Sequence, residues 1–270
     1  MDKKVVELNS GWKIAYEENY KCKDYADDIY DIKTLKSKNL PEINATVPGN
    51  FELDLYKEGI IEDPFFGLNP LKMQDWENRH VWYFNEFYLD ETDGTEYIRF
   101  EGIDTIAEVY VNGHLVLFAD NMYIAHETML DNLYVGKNEI VVHISPATIV
   151  AREYELPPSS NAQEYGYDSL YIRKAPHMFG WDIMPRLVSC GLWKPVAIYR
   201  RKADRINDVF IYTTAIDVKN SFANASIFFN VDVSKDLLKD YSLEVEGKCK
   251  NSTFYFKKRL WHTQGHFRFN

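Results

Sequence analysis

Between Tyr171 and Tyr199 the chain reads YIRKAPHMFGWDIMPRLVSCGLWKPVAIY, a stretch that gathers the side chains a carbohydrate site needs. Trp181 and His177 offer flat faces to sugar C–H bonds, while Asp182, Arg173 and Arg186 offer polar groups to hydroxyls. Gly180 and Pro185 bracket the Trp181-Asp182 pair, which favours a fixed loop over a helix interior. A plainer reading makes Trp181 a core aromatic and Asp182 a turn cap, because buried Trp beside turn residues is common. Other chemistry finds less support. Glu101, Asp104, Asp120 and Glu127 read, like Asp182, as strand-end or turn residues rather than as an acid–nucleophile pair. Ser169, His177 and Asp182 could be mustered as a triad, but no nucleophile-elbow motif accompanies them. There is no Gly-rich phosphate loop and no His/Cys metal cluster, so neither cofactor nor metal is expected. Cys22, Cys190 and Cys249 are odd in number and widely spaced, and read as structural thiols.

The elements that must hold this loop are strands. Cys190-Gly191 breaks the chain, and Leu192 to Tyr199 reads as a strand returning to a sheet. From Val81 onward VWYFNEFYLD, EYIRFEGI, AEVYVNGHLVLFA, MYIAHETML and NEIVVHI follow one another, separated by Asp-Gly, Asn-Gly and Gly-Lys-Asn turns. Val109 and Val111, then Leu115 and Leu117, are expected on one face, with Asn112-Gly113 as a two-residue hairpin turn. No helix of 10–15 residues alternates with these strands, which disfavours a parallel sheet and points to a β-sandwich or jelly roll. Upstream, Asn9-Ser10-Gly11 turns a first strand pair, and residues 17 to 42, rich in Lys and Asp, are expected to be an exposed connection. Thr46 to Asn50 makes a sharp turn that launches a short helix with Phe51, Leu55 and Ile60 near one face. Beyond a charged hinge, Arg200 to Asp204, a second strand series runs through Ile206–Tyr212, Ala225–Val233, Tyr241–Lys248 and Ser252–Leu260. It is shorter than the roughly 100 residues of an immunoglobulin-like sandwich. It ends in a period-2 pattern with no terminator, which reads as a cut domain.

Composition narrows the function classes. Of 270 residues 46% are hydrophobic, enough for a real core, and 15% are aromatic, which suits strands and supplies stacking surfaces. A formal net charge of −10 with no basic run argues against nucleic acid as a partner. No apolar run approaches the roughly 18 residues that a membrane helix needs. Met1-Asp2-Lys3-Lys4 leads straight into a strand signal, so no signal peptide is visible. The compartment stays open between cytoplasmic and secreted with the signal removed.

Taken in order, Leu8-Asn9-Ser10-Gly11-Trp12, Val47-Pro48-Gly49, Asp63-Pro64-Phe65, Trp82-Tyr83-Phe84, Phe100 to Thr105, Val109 to Gly113, Gly180-Trp181-Asp182 and Gly191-Leu192-Trp193 resemble the N-terminal part of glycoside hydrolase family 2. The β-mannosidase-like branch is the most similar. The resemblance implies an all-β fold: a jelly-roll (galactose-binding-like) β-sandwich over residues 1–200, then a partial immunoglobulin-like β-sandwich over 204–270. It also implies a (β/α)₈ catalytic barrel elsewhere in the same polypeptide, carrying two catalytic Glu residues with no counterpart here. The 270-residue chain is thus expected to be a non-catalytic fragment that hydrolyses nothing by itself. Its partners are expected to be a β-linked glycoside, that barrel, and a second copy in a homodimer. In that branch the loop matching Gly180-Trp181-Asp182 helps form the subsite for the sugar being cleaved, so Trp181, Asp182, Arg173, His177 and Arg186 are the expected substrate-binding residues. The family pattern continues Trp-Gly-Pro-Arg where this chain has Ile183-Met184-Pro185-Arg186, which loosens any inference to mannose. The rivals are a β-galactosidase or β-glucuronidase of the same family, and a stand-alone carbohydrate-binding or adhesive β-sandwich.

Overall fold

The alternating segments from Val81 onward do form antiparallel sheets. A computed structural model describes residues 3–155, 167–180, 182–234, 238–249 and 252–269. Lys4–Arg200 forms one compact unit, and Arg201–Asn270 makes up the bulk of another.

In the first unit ten strands build two sheets: β1 (Lys3–Glu7), β2 (Lys13–Glu18), β3 (Glu42–Asn44), β4 (Arg79–Leu89), β5 (Glu96–Phe100), β6 (Ile106–Val111), β7 (His114–Ala119), β8 (His126–Met129), β9 (Gly136–Ser145) and β10 (Val196–Arg200). One sheet has the order β3-β2-β4-β9-β6-β7 and the other β1-β10-β5-β8. Their inner faces meet in a core that includes Ile14, Val81, Tyr83, Phe87, Val109, Val142, Ile98 and Ile198. This is the jelly-roll sandwich.

The burial pattern of β4 shows a third layer. A strand with one wet face should alternate, yet Val81, Trp82, Tyr83 and Phe84 are all buried. Val81 and Tyr83 face the sandwich core, whereas Trp82 and Phe84 pack with Val141 against Cys22, Ala26, Ile29, Ile32 and Leu35. Residues 17 to 42 are therefore not an exposed connection. They hold three short helical segments, Asn19–Cys22, Ala26–Asp28 and Ile32–Ser37. Apolar residues spaced by three or four give them one buried stripe under a Lys/Asp-rich exterior. Asp31 caps the third segment, its side chain accepting from Thr34 N at 2.6 Å.

The β6–β7 hairpin turns through Asn112 and Gly113, both at positive φ, as a two-residue primed turn requires. A bulge between Val109 and Tyr110 pairs Val109 with Leu117 but Tyr110 with Leu115. One extra residue reverses the parity of the strand. Leu115 therefore leaves the face expected for it and is exposed.

The second unit contains β11 (Arg205–Asp217), β12 (Phe222–Asp232), β13 (Ser242–Cys249), β14 (Ser252–Arg259) and β15 (Gln264–Phe269). They form a β11-β12-β15 sheet and a β13-β14 hairpin. Ile227, Phe229 and Val231 of β12 pack with Leu243, Val245, Leu260 and Phe267, a small sandwich core of immunoglobulin-like type. The whole fold is all-β, with short helices on its outside.

Candidate functional site

The stretch 173–191 leaves and rejoins the first unit at a buried polar knot. At its start Ile172 and Lys174 are buried and Arg173 is exposed, a period-2 pattern that turns the lysine inward. At its end Gly191 exchanges backbone hydrogen bonds with Asp104, at 2.9 and 3.0 Å, while Phe51 N donates to Cys190 O at 2.9 Å. A Cβ at Gly191 would lie 2.8 Å from Gly49 O and 2.9 Å from Tyr83 Oη, so only glycine lets the three segments converge. Lys174 is 2% exposed. Its ammonium donates to Asp104 Oδ1 at 2.5 Å and to the Ser189 carbonyl, and Thr105 Oγ1 donates to the same carboxylate. Ser189 Oγ donates to Glu52 Oε2 at 2.6 Å. Glu52 comes from the helix Phe51–Lys57, capped by Asn50, whose side chain accepts from Leu53 N at 2.9 Å.

Burial pushes the Glu52 carboxyl up to about 7, against the downward pull of Ser189 and Lys174. Burial likewise raises the Cys190 thiol well above its ordinary value, followed by the nearby Glu52 charge, which leaves it a poor nucleophile. Glu52 and Asp104 line one cavity of only about 10 Å³, room for about one water molecule. No sugar ring fits there. The knot fixes the loop's two ends.

The loop itself has a neck and a tip. Pro176–Phe179 is a turn of 3₁₀ helix closed by Gly180 N donating to His177 O at 3.1 Å, with Gly180 at φ +106°. Across the neck Leu187 N donates to Met178 O at 2.9 Å. Asp182 and Ile183 are exposed at the tip. Trp181 lies outside the described residues.

Of the expected site residues, His177, Asp182 and Arg173 have exposed side chains. The Arg173 backbone bridges to Asn121, and its carbonyl accepts from Met122 N at 3.0 Å. Arg186 differs from the others, because its guanidinium is turned into the protein. Nε and Nη2 fork onto Glu77 at 2.8–3.2 Å, Nη2 also meets Asp168 Oδ2 at 3.3 Å, and Nη1 donates to Phe179 O at 3.4 Å. The contacts it makes in this fold are those of a staple.

Sequence reasoning missed Glu77, Lys174, Glu52 and Ser189, and read Asp104 only as a strand-end or turn residue. Lys174 had a signal in its alternation with Ile172, whereas Glu77 lies in a turn between the 3₁₀ segment Met73–Asp75 and β4, with no local mark of its partner. Trp82 packs as a core aromatic, whereas Trp193 is only half-buried. Trp82 is fully buried and stacked on His143, and the Trp193 ring lies so close to Gly102 that a Cβ there would be 2.6 Å from Nε1.

The chain is similar to known proteins. Residues 30–194 match the family described as glycosyl hydrolase 2, galactose-binding domain-like, and the chain belongs to that family. It is 33% identical over 170 residues to a probable β-mannosidase of Caenorhabditis elegans, covering 57% of this chain and 19% of that protein. It is 32% identical over 200 residues to β-mannosidase B of Thermothelomyces thermophilus, covering 71% of this chain and 22% of that one. Among solved structures, the β-D-mannosidase of Dictyoglomus thermophilum superposes with a TM-score of 0.73 at 26% identity, over 97% of this chain and 30% of that chain. The chain thus spans about a fifth of the length of the relatives it matches.

Proposed function

We propose that this chain is the N-terminal, non-catalytic part of a retaining family 2 glycosidase of β-mannosidase type, which removes terminal β-linked sugars. In this reading residues 1–200 are its sugar-binding domain and 204–270 belong to the immunoglobulin-like domain that follows. A (β/α)₈ barrel of the same polypeptide supplies the two carboxylates, spaced about 5 Å apart in retaining enzymes. The 270-residue chain alone then turns over no glycoside. The same reading includes self-association through an exposed strand of the second unit.

The observation that carries the proposal is Asp182, an exposed carboxylate at the tip of a loop whose neck is closed and whose ends are tied into the core. A carboxylate held there accepts hydrogen bonds from hydroxyls of the sugar being cleaved, with Trp181 shaping the pocket and Arg173 and His177 at its rim. A hydrogen bond that tightens as the ring flattens acts on the transition state, so its loss lowers kcat and not only affinity. The test is steady-state kinetics of the parent enzyme on nitrophenyl β-mannoside, β-galactoside and β-glucuronide. Turnover of the mannoside above the other two is expected. Asp182→Ala should cost about 2–4 kcal/mol of transition-state stabilisation, on the scale of one preorganised polar contact. Near-wild-type kcat/KM in that variant would return Asp182 to being a turn residue.

A further inference from the structure

Among the described residues, one backbone bond joins the tip that carries Asp182 across its neck, Leu187 N to Met178 O. The side chain that ties the tip to the scaffold beyond that bond, again among the described residues, is Arg186. A guanidinium is planar and gives directed donors in a fixed fork, so the group that accepts from it fixes its position as well as its charge. Here the fork closes on Glu77, with Nε at 2.9 and 3.2 Å from the two carboxylate oxygens and Nη2 at 2.8 Å from one. Nη1 reaches back across the neck to Phe179 O, and the guanidinium carbon lies 5.6 Å from the Phe179 ring centre. One side chain on the returning limb of the loop therefore grips the outgoing limb and the scaffold together.

Glu77 is itself well fixed. It sits two residues before β4, its carbonyl accepts from Thr148 Oγ1 at 3.2 Å, and the same hydroxyl donates to Asn78 Oδ1 at 2.8 Å. Thr148 is fully buried in the helix Ala147–Ala151, which follows β9. A rigid chain of contacts thus runs from the central strands β4 and β9 through Glu77 and Arg186 to the loop. The Glu77 side chain is 9% exposed, so water competes weakly for its hydrogen bonds.

We infer that Glu77 is a positioning residue: through Arg186 it holds the Asp182 loop in one arrangement and thereby supports turnover without touching substrate. The consequence for turnover rests on the reading of Asp182 given above; the ordering of the loop does not. Two variants separate geometry from charge. Glu77→Gln keeps the size of the side chain but loses the second acceptor oxygen and the charge. Arg186→Lys keeps the positive charge but cannot form the fork.

In the 270-residue chain, amide hydrogen exchange at residues 180–187 should quicken at least tenfold in both variants, with the amides of β4 and β9 unchanged. In the parent enzyme Glu77→Gln should lower kcat about 10- to 100-fold with KM little altered, and Glu77→Gln with Asp182→Ala should be no slower than Asp182→Ala alone. Should Glu77→Gln fail to fold, Arg186→Lys gives the same readings. Unchanged loop exchange in a folded variant overturns the inference, as does a kcat loss that adds in full to that of Asp182→Ala. Faster loop exchange beside normal turnover in Asp182→Ala would sink the Asp182 reading alone and leave Glu77 as the residue that orders the loop.

Discussion

The buried Lys174 ammonium donates to one carboxylate and one carbonyl, with the Glu52 carboxyl also close by, and this makes it the most demanding residue of the loop's base. Removing one member of a buried ion pair strands the other in a medium that solvates it poorly, at a cost of about 3–5 kcal/mol, whereas an apolar replacement of both can be far milder. Lys174→Met should therefore lower the urea midpoint of the first unit more than Lys174→Met combined with Asp104→Leu. If the double variant is the less stable one, the pair stabilises more than it costs to desolvate. Glu52 adds a pH dependence. Its folded pKa, about 7, lies above the ordinary carboxyl value, so its contribution to stability is full below about pH 4.5 and is lost as pH rises through 7. The loss is about 3 kcal/mol at its limit. His80 runs the other way. Burial, followed by the neighbouring His143, holds it down at about 3, so its contribution is present above about pH 6.5 and falls in acid. The two overlap between about pH 4.5 and 6.5, and the wild-type profile alone cannot separate them there. The difference between Glu52→Gln and wild type can: the variant should gain relative stability as pH rises from 5 to 8 in denaturant titrations. A flat difference would mean that the buried carboxyl finds enough polar support to ionise freely.

At the scale of elements, the layer over β4 is the part whose energetics the sequence concealed. Ile29, just after the second segment, is fully buried and belongs to the cluster with Trp82 and Phe84, while Lys33 on the third segment is exposed. Ile29→Ala should lower stability by about 2–4 kcal/mol, the usual cost of deleting a buried branched side chain, and Lys33→Ala by no more than about 0.5 kcal/mol. Equal, small effects in urea unfolding would show that these segments are held loosely. The contrast explains what could be read in advance. Strands such as β4 and β9 announce themselves because β-branched and aromatic runs between Gly and Asn turns have few other uses. Helical segments of three to six residues do not fill a periodicity window, so Cys22, Ala26, Ile29, Ile32 and Leu35 are swamped by the Lys and Asp between them. The Asp182 loop was legible for a related reason: Gly180 and Pro185 mark it locally. Its supports were not, because Glu77 and Arg186, or Glu52 and Ser189, meet only through the fold, and no local spacing encodes such pairs. The bulge at Val109/Tyr110 was hidden too, since a single inserted residue leaves the apolar count unchanged and alters only which face each side chain takes.

For the whole molecule, the second unit is expected to be the less stable part, and the reason lies in β11. Register pairs Ile206 with Val231, Val209 with Phe229 and Ile211 with Ile227, so these three residues share the face of β12 that forms the core. On β12 that face is covered, but Ile206, Val209 and Ile211 remain 60%, 42% and 53% exposed. β11 is also at the end of its sheet, which leaves one side of its backbone without a neighbouring strand in that sheet. An exposed edge bearing apolar residues is a template for another chain, and nothing in β11 resembles the prolines or inward-facing lysines that usually blunt such edges. The described core beneath it consists of seven side chains, a small reserve against the conformational entropy of ordering about 70 residues. The 270-residue chain should therefore self-associate with rising concentration, and limited trypsin should cut after Arg201 well before it cuts the β-strands of the first unit. Ile211→Lys, which places a charge on the open face, should weaken association in sedimentation velocity while leaving the far-ultraviolet circular dichroism of the chain unchanged. A strictly monomeric chain whose second unit resists trypsin as long as the first would show that the edge of β11 is not a site of pairing and that its small core suffices.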